Sequence, residues 1–287
     1  MPSRMVIGCV VSPPGSPEVV ADRTENNSSG QGSSGSSAQS VCDFLEWKTS
    51  DVVLSNGVRL TGSQVDHLLS QYYTFFHASH PCVLPRWALQ PRMPTELGIS
   101  KFLLPVLLYI GSLFTQLVDS LPLANAAAEA MSGGWMDVIN FAPDPYFIQA
   151  QMLYSIAVYW CGDPEKGREI LDDAINGAFS LGMHQKDFAV QNGYRDAVLE
   201  ESWRRTWWQI HVTDIHIAGS THTYKGLSVK YPITADLPCE EECYEIGVCL
   251  ISFVLCIQSM SVTTMQMIPT PASLKNYNAR EFSDIEF

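Results

Sequence analysis

Positive charge is scarce in this chain. Lys and Arg number 17 against 30 Asp and Glu, a formal net charge of −13 over 287 residues. Such a balance repels a nucleic-acid backbone, so direct DNA contact would need a local basic patch. No Lys/Arg-rich run of the kind that marks a nuclear localisation signal is present. Charged residues of both signs make up only 16%, which excludes long charged tails and coiled-coil stalks. Cysteine is sparse too: eight in a chain of this length are too few for a disulfide scaffold, and reduced, intracellular thiols are expected. Long hydrophobic runs are missing. The stretch from Phe102 to Val118 is broken by Pro105, Ser112, Thr115 and Gln116, and Ile246 to Ile257 falls short of the ~20 residues that a spanning helix needs. The apolar piece from Met5 to Val11 sits at the lower length limit for a signal peptide, and no Ala-x-Ala-like site follows it. A soluble chain without membrane contact is expected.

Signatures of catalysis are absent as well. There is no G-x-S-x-G elbow and no G-x-x-x-x-G-K loop. A formal G-x-G-x-x-G match, Gly30 to Gly35, lies inside low-complexity sequence instead of between a strand and a helix. Cys239, Cys243, Cys249 and Cys256 suggest zinc, but the last two sit seven apart in an apolar run and read as buried structural thiols. His211 and His216 would stand about 140° apart around a helix, so they cannot share one ion unaided. Asp172 and Asp173 diverge on adjacent helix positions and read as a solvated face. The expectation is no enzyme, no catalytic residue, no cofactor and no metal.

What the chain does contain is core material. Hydrophobic residues are 46% of the total. Residues 1–40 form a Ser/Gly/Pro-rich leader that cannot bury enough apolar surface to fold. Residues 41–287 read as one all-α domain, an irregular multi-helix bundle with antiparallel helix hairpins. Thr61 and Gln64 have capping-box spacing, and Val65, Leu68, Leu69, Tyr72, Tyr73, Phe75 and Phe76 form an apolar stripe ended by Pro81 and Pro85. A second helix is expected over Leu97–Val118, kinked at Pro105. Asp144-Pro145 and Asp163-Pro164 each supply an N-cap and a first-turn proline, with Cys161-Gly162 between the two helices and Gly182 as a left-handed cap. So short a connection makes the pair antiparallel.

A further long helix is expected over Val198–Ala218. Trp203, Trp207, Ile210 and Asp214 share one side, Trp208, Val212 and Ile215 lie beside them, and Arg204 and Arg205 fall on the more exposed arc. Residues 224–238 read as irregular, with a short extended piece at Leu227–Val229, and Cys243–Met267 as one or two apolar helices.

Three stretches together resemble the fungal-specific transcription factor domain, the middle homology region of fungal zinc-cluster regulators. The first is LLSQYYTFFHASHPCVLPR, Leu68 to Arg86, an aromatic-rich helix leading into a His-x-x-x-Pro turn. The second is the central hairpin, whose last helix ends Leu181-Gly182-Met183-His184. The third begins with Arg204-Arg205-Thr206-Trp207-Trp208, has Asp214 six residues on, and ends at Asp236-Leu237-Pro238. The resemblance implies a nuclear transcription regulator whose helical domain serves regulation and protein interaction, in some relatives tied to secondary-metabolite gene clusters. Its motif positions Gly182, His184, Arg204, Arg205, Trp207, Trp208, Asp214, Asp236 and Pro238 are expected to be structural, with the two tryptophans as core anchors and Asp214 pairing an arginine or capping a neighbour.

Family members usually carry an N-terminal six-cysteine zinc cluster, whereas Cys9 and Cys42 stand alone here. The resemblance therefore implies DNA reached only indirectly, through protein partners or a homo- or heterodimer. The family's helical region also continues further, which leaves a truncated gene product and a partner-dependent regulator both open. Two alternatives stand beside this reading. One is a co-regulator or dominant-negative partner of a zinc-cluster factor; the other is a helical sensor of a small-molecule effector, or a cryptic enzyme, with an aromatic pocket.

Overall fold

Thr61 and Gln64 make the capping box expected from their spacing. Gln64 N–H donates to Thr61 Oγ1, and Thr61 N–H donates to Gln64 Oε1 at 2.9 Å. This reciprocal pair starts α1 (Gly62–Phe75), whose Val65, Leu68, Leu69 and Tyr72 are buried along one face. The computed structural model describes residues 51–132, 144–221 and 225–248. The expected leader over 1–40 lies outside them. Ahead of α1, β1 (Val52–Val53) and β2 (Arg59–Leu60) pair antiparallel around a turn at Gly57, φ +81°. Strands of two residues leave no alternation to detect in the sequence. Among the described residues this is the only sheet, and the fold is all-α.

After α1 the chain makes a 3₁₀ turn (His77–Ser79), a loop through Pro81 and Pro85, and a single helical turn, α2 (Arg86–Leu89). The helix expected over Leu97–Val118 is shorter than its apolar content suggested. A π-helical turn (Ile99–Leu103) runs into α3 (Leu104–Ser112), with Pro105 in the first turn of α3. The proline's missing N–H falls where an α-helix has no internal partner for it, so the irregularity is a π-to-α junction and not a proline kink. Beyond Ser112 the side chains of Leu113, Phe114 and Leu117 are exposed, and only Val118 packs against the core. Helix α4 (Ser120–Ser132) folds back on α3.

The central hairpin follows its sequence signals. Asp144 Oδ1 accepts from Tyr146 N–H at 2.8 Å and starts α5 (Pro145–Trp160); Asp163 Oδ1 accepts from Lys166 N–H at 3.0 Å and starts α6 (Pro164–Leu181). Gly162 turns the chain at φ +114°, and Gly182 closes α6 at φ +78°. The two helices pack closely enough that a Cβ on Gly167 would lie 2.7 Å from the Tyr159 backbone. Helix α5 is buried almost all round over its first two turns and touches α3, α4, α6 and α8 (Ala197–Ser220). Before α8 comes α7 (Lys186–Asn192); Asp196 then caps α8, its Oδ1 accepting from Val198 and Leu199. Trp203 and Trp207 are the largest fully buried side chains, each worth about 3 kcal/mol or more of transfer free energy.

From residue 225 the chain runs as a strap without regular structure until α9 (Glu241–Glu245). The extended piece expected at Leu227–Val229 is a turn, with Lys230 N–H donating to Leu227 O at 3.1 Å. Of the helices expected over Cys243–Met267, the part beyond Val248 lies outside the described residues. No described helix is long and apolar enough to cross a membrane.

Candidate functional site

Glu201 stands four residues before Arg205 and three before Arg204, so one carboxylate on α8 faces both guanidinium groups. Its Oε1 accepts from Arg205 Nε at 2.9 Å, and its Oε2 from Arg204 Nε at 2.8 Å. The expectation for Arg205 needs correction here. It does not lie on an exposed arc but is 6% exposed, while Arg204 is half-buried. The physical reason is the strap. Arg205 Nη2 donates to Cys239 O at 2.6 Å, Nη1 donates to Pro81 O at 3.2 Å, and the guanidinium lies 4.4 Å from the centre of the Tyr244 ring. Cys239 N–H closes the loop by donating to Glu201 Oε1 at 2.8 Å. A buried ion pair is tolerable only with its remaining hydrogen-bonding capacity met, and this pair meets it with backbone from two distant segments.

The other motif residues on α8 also hold neighbours. Trp207 is fully buried against Phe179 and His184, at ring distances of 5.4 and 5.7 Å. Trp208 is half-buried and donates its indole N–H to Asp236 O at 2.8 Å. Asp214 has a partner on each carboxylate oxygen. Its Oδ1 pairs with Arg168 Nη1 of α6 at 2.7 Å, and its Oδ2 accepts from Ser228 N–H of the strap at 2.8 Å. The side chain is fully buried. His184 is buried beside the Gly182 cap, and its carbonyl accepts from Thr234 and Ala235 of the strap at 2.9 and 3.0 Å. Burial lowers the His184 pKa from its ordinary value. Asp236 contributes its backbone, while its carboxylate reaches Lys186 only at the surface. Val212 and Ile215, placed beside the buried tryptophans by sequence, are exposed.

Sequence reasoning missed a second node. Gln149, in the middle of the apolar run of α5, is fully buried. Its amide nitrogen lies 2.7 Å from Thr206 Oγ1, 3.2 Å from Ser202 Oγ and 3.1 Å from Cys82 O. Ser202 Oγ also donates to Cys82 O, at 2.7 Å, and Tyr244 OH to Val83 O, at 3.0 Å. The Cys82 thiol in this dry environment has its pKa pushed up to about 12 by burial, and the same cause raises that of Tyr244. A thiol held protonated is a poor nucleophile. The signal available in the sequence was the pair of glutamines, Gln149 and Gln151, on a largely apolar helix.

Between the end of α5, the middle of α8 and the His77–Pro81 turn lies an open cleft of about 530 Å³. Trp160, Trp208, His80, Gln209 and Thr213 line it. Among the described residues no three His, Cys, Asp or Glu side chains converge to hold a metal; Cys249 and Cys256 lie outside these residues.

Taken together, the named residues are the fasteners of a helical scaffold, binding a C-terminal strap to a tryptophan-bearing helix. Residues 99–248, just over half of the chain, match the fungal specific transcription factor domain, and the chain belongs to that family. The matched span contains the central hairpin and the tandem-tryptophan motif; the first motif, Leu68–Arg86, precedes it. The chain is also similar to the C6 finger domain transcription factor iacK of Pestalotiopsis fici, 32% identical over 182 residues. That alignment takes in 63% of this chain but only 26% of the relative, about a quarter of its length. No solved structure matches the chain.

Proposed function

We propose that the chain is a fungal transcription regulator whose helical region acts in the nucleus as a regulatory and protein-interaction module, not as a catalyst. The observation that carries this is the match over residues 99–248, within which the motif residues are spent on holding the scaffold together. The net charge of −13 favours action on DNA through protein partners, a zinc-cluster factor being the natural candidate given the relative's C6 finger. Tagging the full chain in its host supplies the test. Nuclear fluorescence, co-precipitation with a zinc-cluster protein and altered transcript levels on deletion are expected. A cytoplasmic chain whose deletion leaves transcripts unchanged would refute the reading. A purified chain that shifts promoter DNA by itself, with a steep salt dependence, would replace partner-mediated with direct binding.

A further inference from the structure

The cleft between α5, α8 and the His77–Pro81 turn has a composition that the scaffold does not explain. Trp160 at its rim is 65% exposed, although an indole of this size is normally buried or covered. Trp208 lines it with part of its ring surface open. At about 530 Å³ it has the size of a small-molecule site.

Among its polar groups, Gln209 and His80 form a hydrogen-bonded pair. The Gln209 side-chain nitrogen spans His80 Nδ1 at 3.0 Å and Thr213 Oγ1 at 3.2 Å, which uses both of its N–H groups. The Gln209 carbonyl oxygen and His80 Nε2 then have no protein partner among the described residues, leaving one acceptor and one N–H donor on two cleft-lining side chains. Turning the glutamine amide over exchanges the two roles but still leaves one donor and one acceptor. Burial lowers the His80 pKa, so the ring is neutral near pH 7. No carboxylate lines the cleft; of the basic side chains that do, besides His80, Arg205 is committed to Glu201, Pro81 O and Cys239 O, and the other is His216. A cationic ligand finds no carboxylate there, and the chain's net negative charge opposes an anion.

We propose that this cleft binds a neutral, planar aromatic small molecule bearing a carboxamide-like donor–acceptor pair. The ring lies against the indoles of Trp160 and Trp208, and the amide meets Gln209 and His80. The inference does not rest on the regulator reading, because it is tested by binding alone.

Naphthalene-2-carboxamide is the probe, titrated into the purified full chain by ligand-observed NMR and calorimetry. Saturable binding on the order of 0.1–1 mM is expected, the affinity of a fragment of this size. Trp160→Ala, at an exposed position, is expected to weaken it about five- to tenfold with unchanged thermal unfolding, while Trp160→Phe retains most of it. Gln209→Leu is expected to weaken it several-fold. Naphthalene-2-carboxylate, of the same shape but charged, and the decahydro carboxamide, of the same polarity but not aromatic, should bind at least fivefold more weakly. Four results would overturn the assignment: no saturation by about 2 mM, equal binding of either control compound, indifference to Trp160→Ala, or self-association of the chain that Trp160→Ala abolishes.

Discussion

Replacing Arg205 by Ala tests the clasp at its centre. The substitution leaves Glu201, 1% exposed, with only Arg204 and the Cys239 amide as partners. It strips Pro81 O and Cys239 O of their donors and removes the cation from the face of Tyr244. Breaking a buried pair by deleting one member costs about 3–5 kcal/mol, because the remaining charge stays desolvated. With a urea dependence of ~2–3 kcal/mol per molar, the midpoint of unfolding should fall by about 1–2 M. A loss of that size takes a large share of a typical stability of about 5–15 kcal/mol. Arg205→Lys keeps the charge but cannot reach three acceptors at once, and should fall between the two. Urea titration of the full chain, followed by tryptophan fluorescence at pH 7, reads all three. In the double variant Glu201→Gln/Arg205→Ala the losses should be clearly less than additive. A midpoint shift below about 0.3 M for Arg205→Ala would show that the guanidinium is not holding the strap, and would refute the reasoning.

Three further outcomes can be checked separately. A Cβ at Gly111 would sit 2.1 Å from Leu68 O, a backbone atom that cannot step aside, so Gly111→Ala should separate α1 from α3 and cost at least ~2–3 kcal/mol in the same titration. His80 and His184 have folded-state pKa values lowered by burial, so the unfolded chain takes up their protons first as pH falls below about 6.5. Stability should therefore decline on acidification from pH 7 towards pH 5, and melting curves of His184→Gln should show a shallower decline than the parent. Iodoacetamide at pH 8 should label exposed Cys161 in the native chain and spare Cys82, whose thiol is pushed up to about 12; urea should make both reactive, as peptide mapping would show.

Local signals in this chain were readable because their causes are local. The Thr61–Gln64 capping box, the two Asp-Pro helix starts and the left-handed Gly182 depend on residues within one helical turn of each other. The burial of Arg205 does not. A helical wheel places a basic residue outward by default, and only the arrival of Cys239, Tyr244 and Pro81 makes a buried position tolerable. Glu201 at the i−4 position was the one local sign that the charge had a fixed partner. The same limit explains α3. Composition carried the expected helix to Val118, but it ends at Ser112, where the run of buried residues ends, and the π-helical entry at Ile99–Leu103 has no sequence signature. An aromatic pocket entered the sequence reading only as part of an alternative, with no position given for the cleft. Its particular walls come from three segments far apart in the chain.

The turn through Pro81, Cys82 and Val83 depends on residues 120 to 161 positions downstream: Ser202, Arg205 and Tyr244 satisfy its three carbonyls. A ribosome makes that turn long before it makes any of those donors. The central hairpin can close as soon as it emerges, since its partners are neighbours. The Pro81 and Val83 carbonyls gain these donors only once the tryptophan helix and then the strap have been made, so this contact closes later than the hairpin.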